Sequence, residues 1–92
     1  MTDDELLVQV KAGMGISGSA LDAKLLMHVK AAKGLMTNYG VAAEEIESDL
    51  GIQCLTAGVQ DLLNPVPGGM NFSPATLMIL QQLHHVSLEE VE

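Results

Sequence analysis

The chain has 92 residues, enough for one domain with a thin core. With 48% hydrophobic residues it is not a disordered tail, and a formal charge of −8 with no arginine argues against a protein that grips duplex DNA through its phosphates. Tyr39 and Phe72 are the only aromatics, so Leu, Ile, Val, Ala and six Met must fill the interior.

Strand-type alternation is absent and helical spacing runs throughout. The expected fold class is therefore all-α: a small bundle of four main helices plus one short helical turn. The first helix opens at Thr2, where Thr2-Asp3-Asp4-Glu5 spells a capping box with its acids at the positive end of the helix dipole. Leu6, Val10 and Met14 form its inner stripe, and Gly13, Gly15 and Gly18 break it.

The second helix is expected from Ser19, with Asp22 completing a second capping box. Leu21, Leu25, Val29, Ala32 and Met36 share one face, with Lys30 and Lys33 opposite, in water, and Leu26 and Met27 off the apolar stripe. Asn38-Tyr39-Gly40 stops the helix, because glycine accepts the left-handed conformation found there. Residues 42–47 make a short helical turn with an acidic face.

The third main helix runs from about Ser48 to Leu63. Its main stripe is Ile52, Leu55, Val59 and Leu62, and a smaller stripe of Leu50, Cys54 and Ala57 lies opposite. A helix apolar on two sides contacts two things, inside the domain or on another subunit. Asn64-Pro65-Val66-Pro67-Gly68-Gly69 cannot continue a helix. The fourth main helix starts with Ser73 as N-cap and Pro74 at its first position, and Phe72 is placed to staple onto Leu77. Leu77, Leu80 and Leu83, flanked by Ile79 and Val86, form its apolar arc. The domain is expected to span residues 1–86, with 87–92 an acidic tail that frays.

The charge is unevenly laid out. Lys11, Lys24, Lys30 and Lys33 balance Asp3, Asp4, Glu5 and Asp22, whereas everything after Lys33 carries eight acids and no base. The lone cysteine, Cys54, cannot form an internal disulfide, the pattern of a reducing compartment. The acidic N-terminus is unlike a signal or transit peptide, and no apolar run reaches the roughly 20 residues of a bilayer span.

Chemistry-bearing residues are few. His28, His84, His85 and Cys54 are the candidate metal ligands, but none pairs at the i,i+4 spacing that puts two ligands on one helix face. His28 reads as a partly buried core histidine. Cys54, with no flanking lysine or glycine-rich turn to activate it, reads as a packing residue. Gly13-Met14-Gly15-Ile16-Ser17-Gly18 has glycines like a phosphate loop, yet no strand precedes it and no Lys-Ser/Thr follows, so it reads as a helix connection. Glu44, Glu45, Glu47 and Asp49 lack the alternation of a calcium loop and read as a solvated patch. No catalytic residue, cofactor or metal site is expected.

Several strings resemble one family. Asp4-Glu5-Leu6-Leu7 through Val10-Lys11, then Gly15-Ile16-Ser17, and Leu21 through Lys33 with Asn38-Tyr39-Gly40-Val41, carry part of the likeness. The best match is Gly58-Val59-Gln60-Asp61-Leu62-Leu63-Asn64, followed by Gly68-Gly69 and Phe72-Ser73-Pro74. The chain resembles the head–tail connector, or DNA-packaging adaptor, proteins of tailed bacteriophages over nearly its whole length. It departs from them at Leu63, where the family often has tryptophan, and in a last helix without basic residues.

The resemblance implies a non-enzymatic structural subunit of the virion, assembled in the bacterial host cytoplasm. Copies would form a homo-oligomeric ring, expected to be dodecameric, below the portal protein. The ring would extend the DNA channel and carry the next head-completion or tail protein. DNA would pass through without specific binding, and no membrane is involved.

Expected intersubunit residues are Leu26 and Met27, then Asn64, Pro65, Val66, Gly68, Gly69, Met70 and Phe72 of the loop, and Leu83 and Val86 of the last helix. They are apolar off a main stripe, or irregular and exposed. Two other readings stand beside this one. The first is an acidic acyl-carrier-like protein, for which Ser48-Asp49-Leu50 offers a displaced version of the Asp-Ser-Leu signature. The second is a small acidic regulatory protein that mimics DNA.

Overall fold

Helix formation begins where Thr2 leaves the extended conformation. In the computed structural model, which describes residues 1–64 and 73–91 with side chains through residue 88, Thr2 caps α1 (Asp3–Met14). The Glu5 amide donates to the Thr2 hydroxyl at 3.1 Å and the Thr2 amide donates to the Glu5 carboxylate at 2.8 Å, closing the expected capping box. The bond from the Thr2 amide, then that with its side chain, holds the Glu5 carboxyl below its ordinary value.

α1 ends in a Schellman turn. Gly15 sits at φ +69°, the Ile16 amide reaches the Lys11 carbonyl at 2.9 Å, and the Gly15 amide reaches Ala12 at 3.3 Å. α2 (Asp22–Tyr39) ends the same way at Gly40, with φ +101° and the Val41 amide on Met36 at 3.1 Å. Val41 and Met36 are both buried, giving the apolar contact that accompanies this cap.

The start of α2 departs from expectation. No side chain caps it, and Leu21 rather than Ser19 occupies the N-cap. The Asp22 carboxylate turns instead to Lys11 Nζ at 2.7 Å, and the same ammonium donates to the Gly18 carbonyl at 2.5 Å. A charge-assisted bond to a largely covered lysine outcompetes a neutral serine cap. Leu21 is consequently 53% exposed, and the buried stripe of α2 starts at Leu25.

Lys33 is likewise not free in water: it reaches Asp3 at 3.0 Å. The two ion pairs join opposite ends of α1 and α2, which therefore run antiparallel. At this exposure each contributes less than about 1 kcal/mol and serves mainly to set register.

After the short α3 (Ala43–Ile46), Ser48 caps α4 (Asp49–Leu63). Its hydroxyl accepts from the Gly51 amide at 3.0 Å and donates to the Glu45 carbonyl at 2.6 Å. α4 is the hub, touching α1, α2, α3 and α5 (Pro74–Val91), whereas α5 does not touch α1. This satisfies the two-sided pattern of α4 inside the domain: Leu55 and Val59 are fully buried and Cys54 is 1% exposed, while Leu50 stays at the surface. Principal extents of 43 × 33 × 18 Å describe a slab about two helices thick.

The core unites Leu6, Leu7 and Val10 of α1 with Leu25, Val29, Ala32 and Met36 of α2, Ile46 of α3 and Leu80 and Leu83 of α5. The regular structure of the described residues is all helical, as expected. One boundary moves. Ser87, expected to open a fraying tail, is 3% exposed within α5, accepts from the Ala42 amide at 2.8 Å and donates to the Leu83 carbonyl at 2.8 Å. It supplies the polar partner at the start of α3 that no local side chain provides.

Candidate interaction surface

Asp61, near the end of α4, accepts from the Ser73 amide at 2.8 Å and from the Thr76 hydroxyl at 2.8 Å. Because the only hydroxyl proton of Thr76 goes to Asp61, the Ser73 hydroxyl donates to Thr76 Oγ1, 3.1 Å away. The Thr76 amide in turn donates to Ser73 Oγ at 3.4 Å, as the expected N-cap requires. A carboxylate on one helix thus seats the positive end of the next. The Phe72 staple lies outside the described residues.

Of the candidate chemical groups, His84 has a structural role that its contacts define. On α5, His84 Nδ1 donates to the Gly40 carbonyl at 3.2 Å, and its ring meets Tyr39 edge-on with centroids 5.6 Å apart. The imidazole therefore latches the C-terminal end of α2 to α5. His28 is half-buried on α2 and His85 lies exposed on α5. Among the described residues no three of His, Cys, Asp and Glu gather as a metal-holding group. No helix among them is long and apolar enough to cross a membrane.

Burial pushes the Cys54 thiol up from its ordinary 9.0 to about 11. Its native thiol is expected to remain silent to an aromatic disulfide reagent at pH 8 and to react fully once the chain is unfolded. The raised folded value also sets a sign. Stability is complete below pH 9 and falls as pH climbs towards 11, because the unfolded thiol ionises first. The loss amounts to roughly 2–3 kcal/mol. A Cys54→Ala chain followed by urea unfolding should lack that alkaline component, and equal pH slopes in the two chains would refute it.

Most acids near the helix ends are already paired. Asp3 and Asp22 hold lysines, Glu47 holds the Met1 ammonium, Glu5 closes its capping box and Asp61 caps α5. Glu44 and Asp49 remain exposed, whereas Glu45 is half-buried and Glu47 is engaged by Met1, so the expected four-acid solvated patch is realised only in part.

Exposed apolar side chains include Val8 on α1 and Leu50 on α4, and the two most exposed are methionines on α2 and α5. On α2, Met27 is 71% exposed among Ala23, Ala31 and Gly34, which are exposed as well. Lys24 and Lys30 stand three residues to either side of Met27, both exposed and in no ion pair among the described residues. On α5, Met78 is 68% exposed and lines an open groove with Gln82, His85 and Val86. A second groove shares Met78 and Gln82 and extends to Ile79 and to Leu50 at the start of α4.

Of the expected intersubunit residues, Met27, Asn64 and Val86 are exposed and Leu26 is half-buried against the core. Leu83 is corrected: at 1% exposure it belongs to the core, because the α5 arc turns it towards α4. Pro65, Val66, Gly68, Gly69, Met70 and Phe72 lie outside the described residues. Met78, which is not among the expected contacts, is exposed off the Leu77, Leu80 and Leu83 arc, and Leu50 of the smaller α4 stripe stays at the surface.

No protein-family model matches the chain, and no curated protein and no solved structure matches it.

Proposed function

We propose that the chain is a ring-forming head–tail connector subunit of a tailed phage, a structural protein that catalyses nothing. In this role it sits beneath the portal protein, lengthens the DNA channel and carries a head-completion or tail protein. The observation that carries the reading is the pair of methionine-centred apolar faces on α2 and α5, left uncovered by a single copy whose core is otherwise closed. Methionine suits surfaces that repack on a neighbour. The charge inventory agrees: with no arginine, and with Lys11 and Lys33 engaged by Asp22 and Asp3, little cation remains to hold a passing phosphate backbone.

The other readings have less support. An acyl carrier needs a free serine hydroxyl, and that of Ser48 is tied between Glu45 and Gly51. A DNA mimic needs free carboxylates in a phosphate-like array, and many are spent on caps and ion pairs. The test is electron microscopy of the chain mixed with its cognate portal protein. An added ring of density below the portal is expected, and the absence of any complex would overturn the reading.

A further inference from the structure

We infer that α5 undocks as one unit while α1 to α4 stay folded, a conformational opening built into the way this helix is held.

The buried stripe of α5 is short of apolar groups. Among the described residues it consists of Thr76, Leu80, Leu83 and Ser87, so half of it is hydroxyl side chains. The buried stripes of α1 (Leu6, Leu7 and Val10) and α2 (Leu25, Val29, Ala32 and Met36) are wholly apolar. Apolar burial supplies most of the force that docks a helix, and α5 has the least of it.

What holds α5 instead is directional. Asp61 accepts from the Ser73 amide and the Thr76 hydroxyl, both at 2.8 Å, His84 Nδ1 donates to the Gly40 carbonyl at 3.2 Å, and Ser87 accepts from the Ala42 amide at 2.8 Å. Each of these bonds is exchanged for bonds to water when the helix lifts, so its net hold is modest.

The seat of α5 is also separate from the rest of the core. Leu50, Cys54 and Asp61 fall within about 40° of one another round α4. Both ends of that line meet α5: Leu50 shares a groove with Met78 and Ile79, and Asp61 holds Thr76. Leu55 and Val59, both fully buried, point about 120–160° away from it. α5 does not touch α1. Lifting α5 therefore opens the Cys54 line of α4 and leaves the packing of α1, α2 and α4 on the other side in place. Units of this kind open on their own, below the free energy of global unfolding.

Hydrogen exchange on the full chain tests this. Amides of residues 78–86 in α5 should show protection at least tenfold lower than those of residues 26–36 in α2, with a weaker dependence on denaturant because less surface is exposed. Val10→Ala alters α1, which α5 does not touch, and so weakens the closed and the α5-open forms alike against the unfolded chain. It should quicken exchange in α1, α2 and α4 about tenfold and leave α5 unchanged. Asp61→Ala weakens the closed form against the open one. It should quicken α5 exchange at least tenfold and bring the Cys54 thiol within reach of the reagent that it otherwise resists. Equal protection in α2 and α5, or a Val10→Ala chain in which α5 accelerates as much as α1, overturns the inference, because α5 then opens only with the whole fold.

Discussion

Replacing Gly51 with alanine should destabilise the protein by about 3 kcal/mol, with a fall in Tm on the order of 15 °C. Gly51 lies in the first turn of α4, fully covered by the end of α3. A methyl group there would collide with the Glu45 carbonyl oxygen and lie 2.5 Å from the Ile46 oxygen and 2.6 Å from its carbon. These are backbone atoms, which cannot swing aside as a side chain tip does, so the α3–α4 corner must open. Opening it also strains the Ser48 hydroxyl, which bridges the same Glu45 carbonyl and the Gly51 amide.

Helix propensity alone forecasts the opposite sign, since alanine is better than glycine in a helix by about 1 kcal/mol. Gly34 supplies the control. It is exposed in the interior of α2 with open space around it, so Gly34→Ala should stabilise by about 0.5–1 kcal/mol. Denaturant unfolding of both variants reads the contrast. A neutral or stabilising Gly51→Ala would mean that α3 does not rest on α4 as described.

Asp61→Ala is the second large effect, expected at about 2–3 kcal/mol. The substitution strips the acceptor from the Ser73 amide and from the hydroxyl of Thr76, a residue only 1% exposed. A buried donor without a partner costs more than the net value of the bond it made. Thr76→Val alone should cost less, because Asp61 keeps the Ser73 amide. In the double variant the buried hydroxyl is gone as well, so the total should fall short of the sum by about 1 kcal/mol. Strict additivity in a double-mutant cycle would deny that the two side chains share one network.

The helices themselves were readable because their punctuation is local. Thr2 with Glu5, Gly15, Gly40, and Ser48 act on neighbours no more than about five residues away, and each cap or stop occurs where the spacing predicts. The apolar stripes were readable for the same reason: Leu25, Val29, Ala32 and Met36 repeat with the helical period and are buried. The Ser19–Asp22 box was misread because its carboxylate had a stronger partner eleven residues away, Lys11. Asp61 and Ser87 looked like ordinary polar positions because their partners lie 15 and 45 residues away in sequence.

The amino-acid sequence by itself determined an all-helical chain, the helix ends other than the start of α2 and the end of α5, the uneven charge and the scarcity of reactive groups, since all of these depend on residue type and short spacing. Only the tertiary structure decided which apolar residues stay outside. A period of 3.6 marks an apolar face without saying what covers it, so Leu83 and Val86 looked equivalent until α5 lay on α4 and sealed one of them. The same packing left Met27 and Met78 uncovered, and on those two side chains the proposed assembly depends.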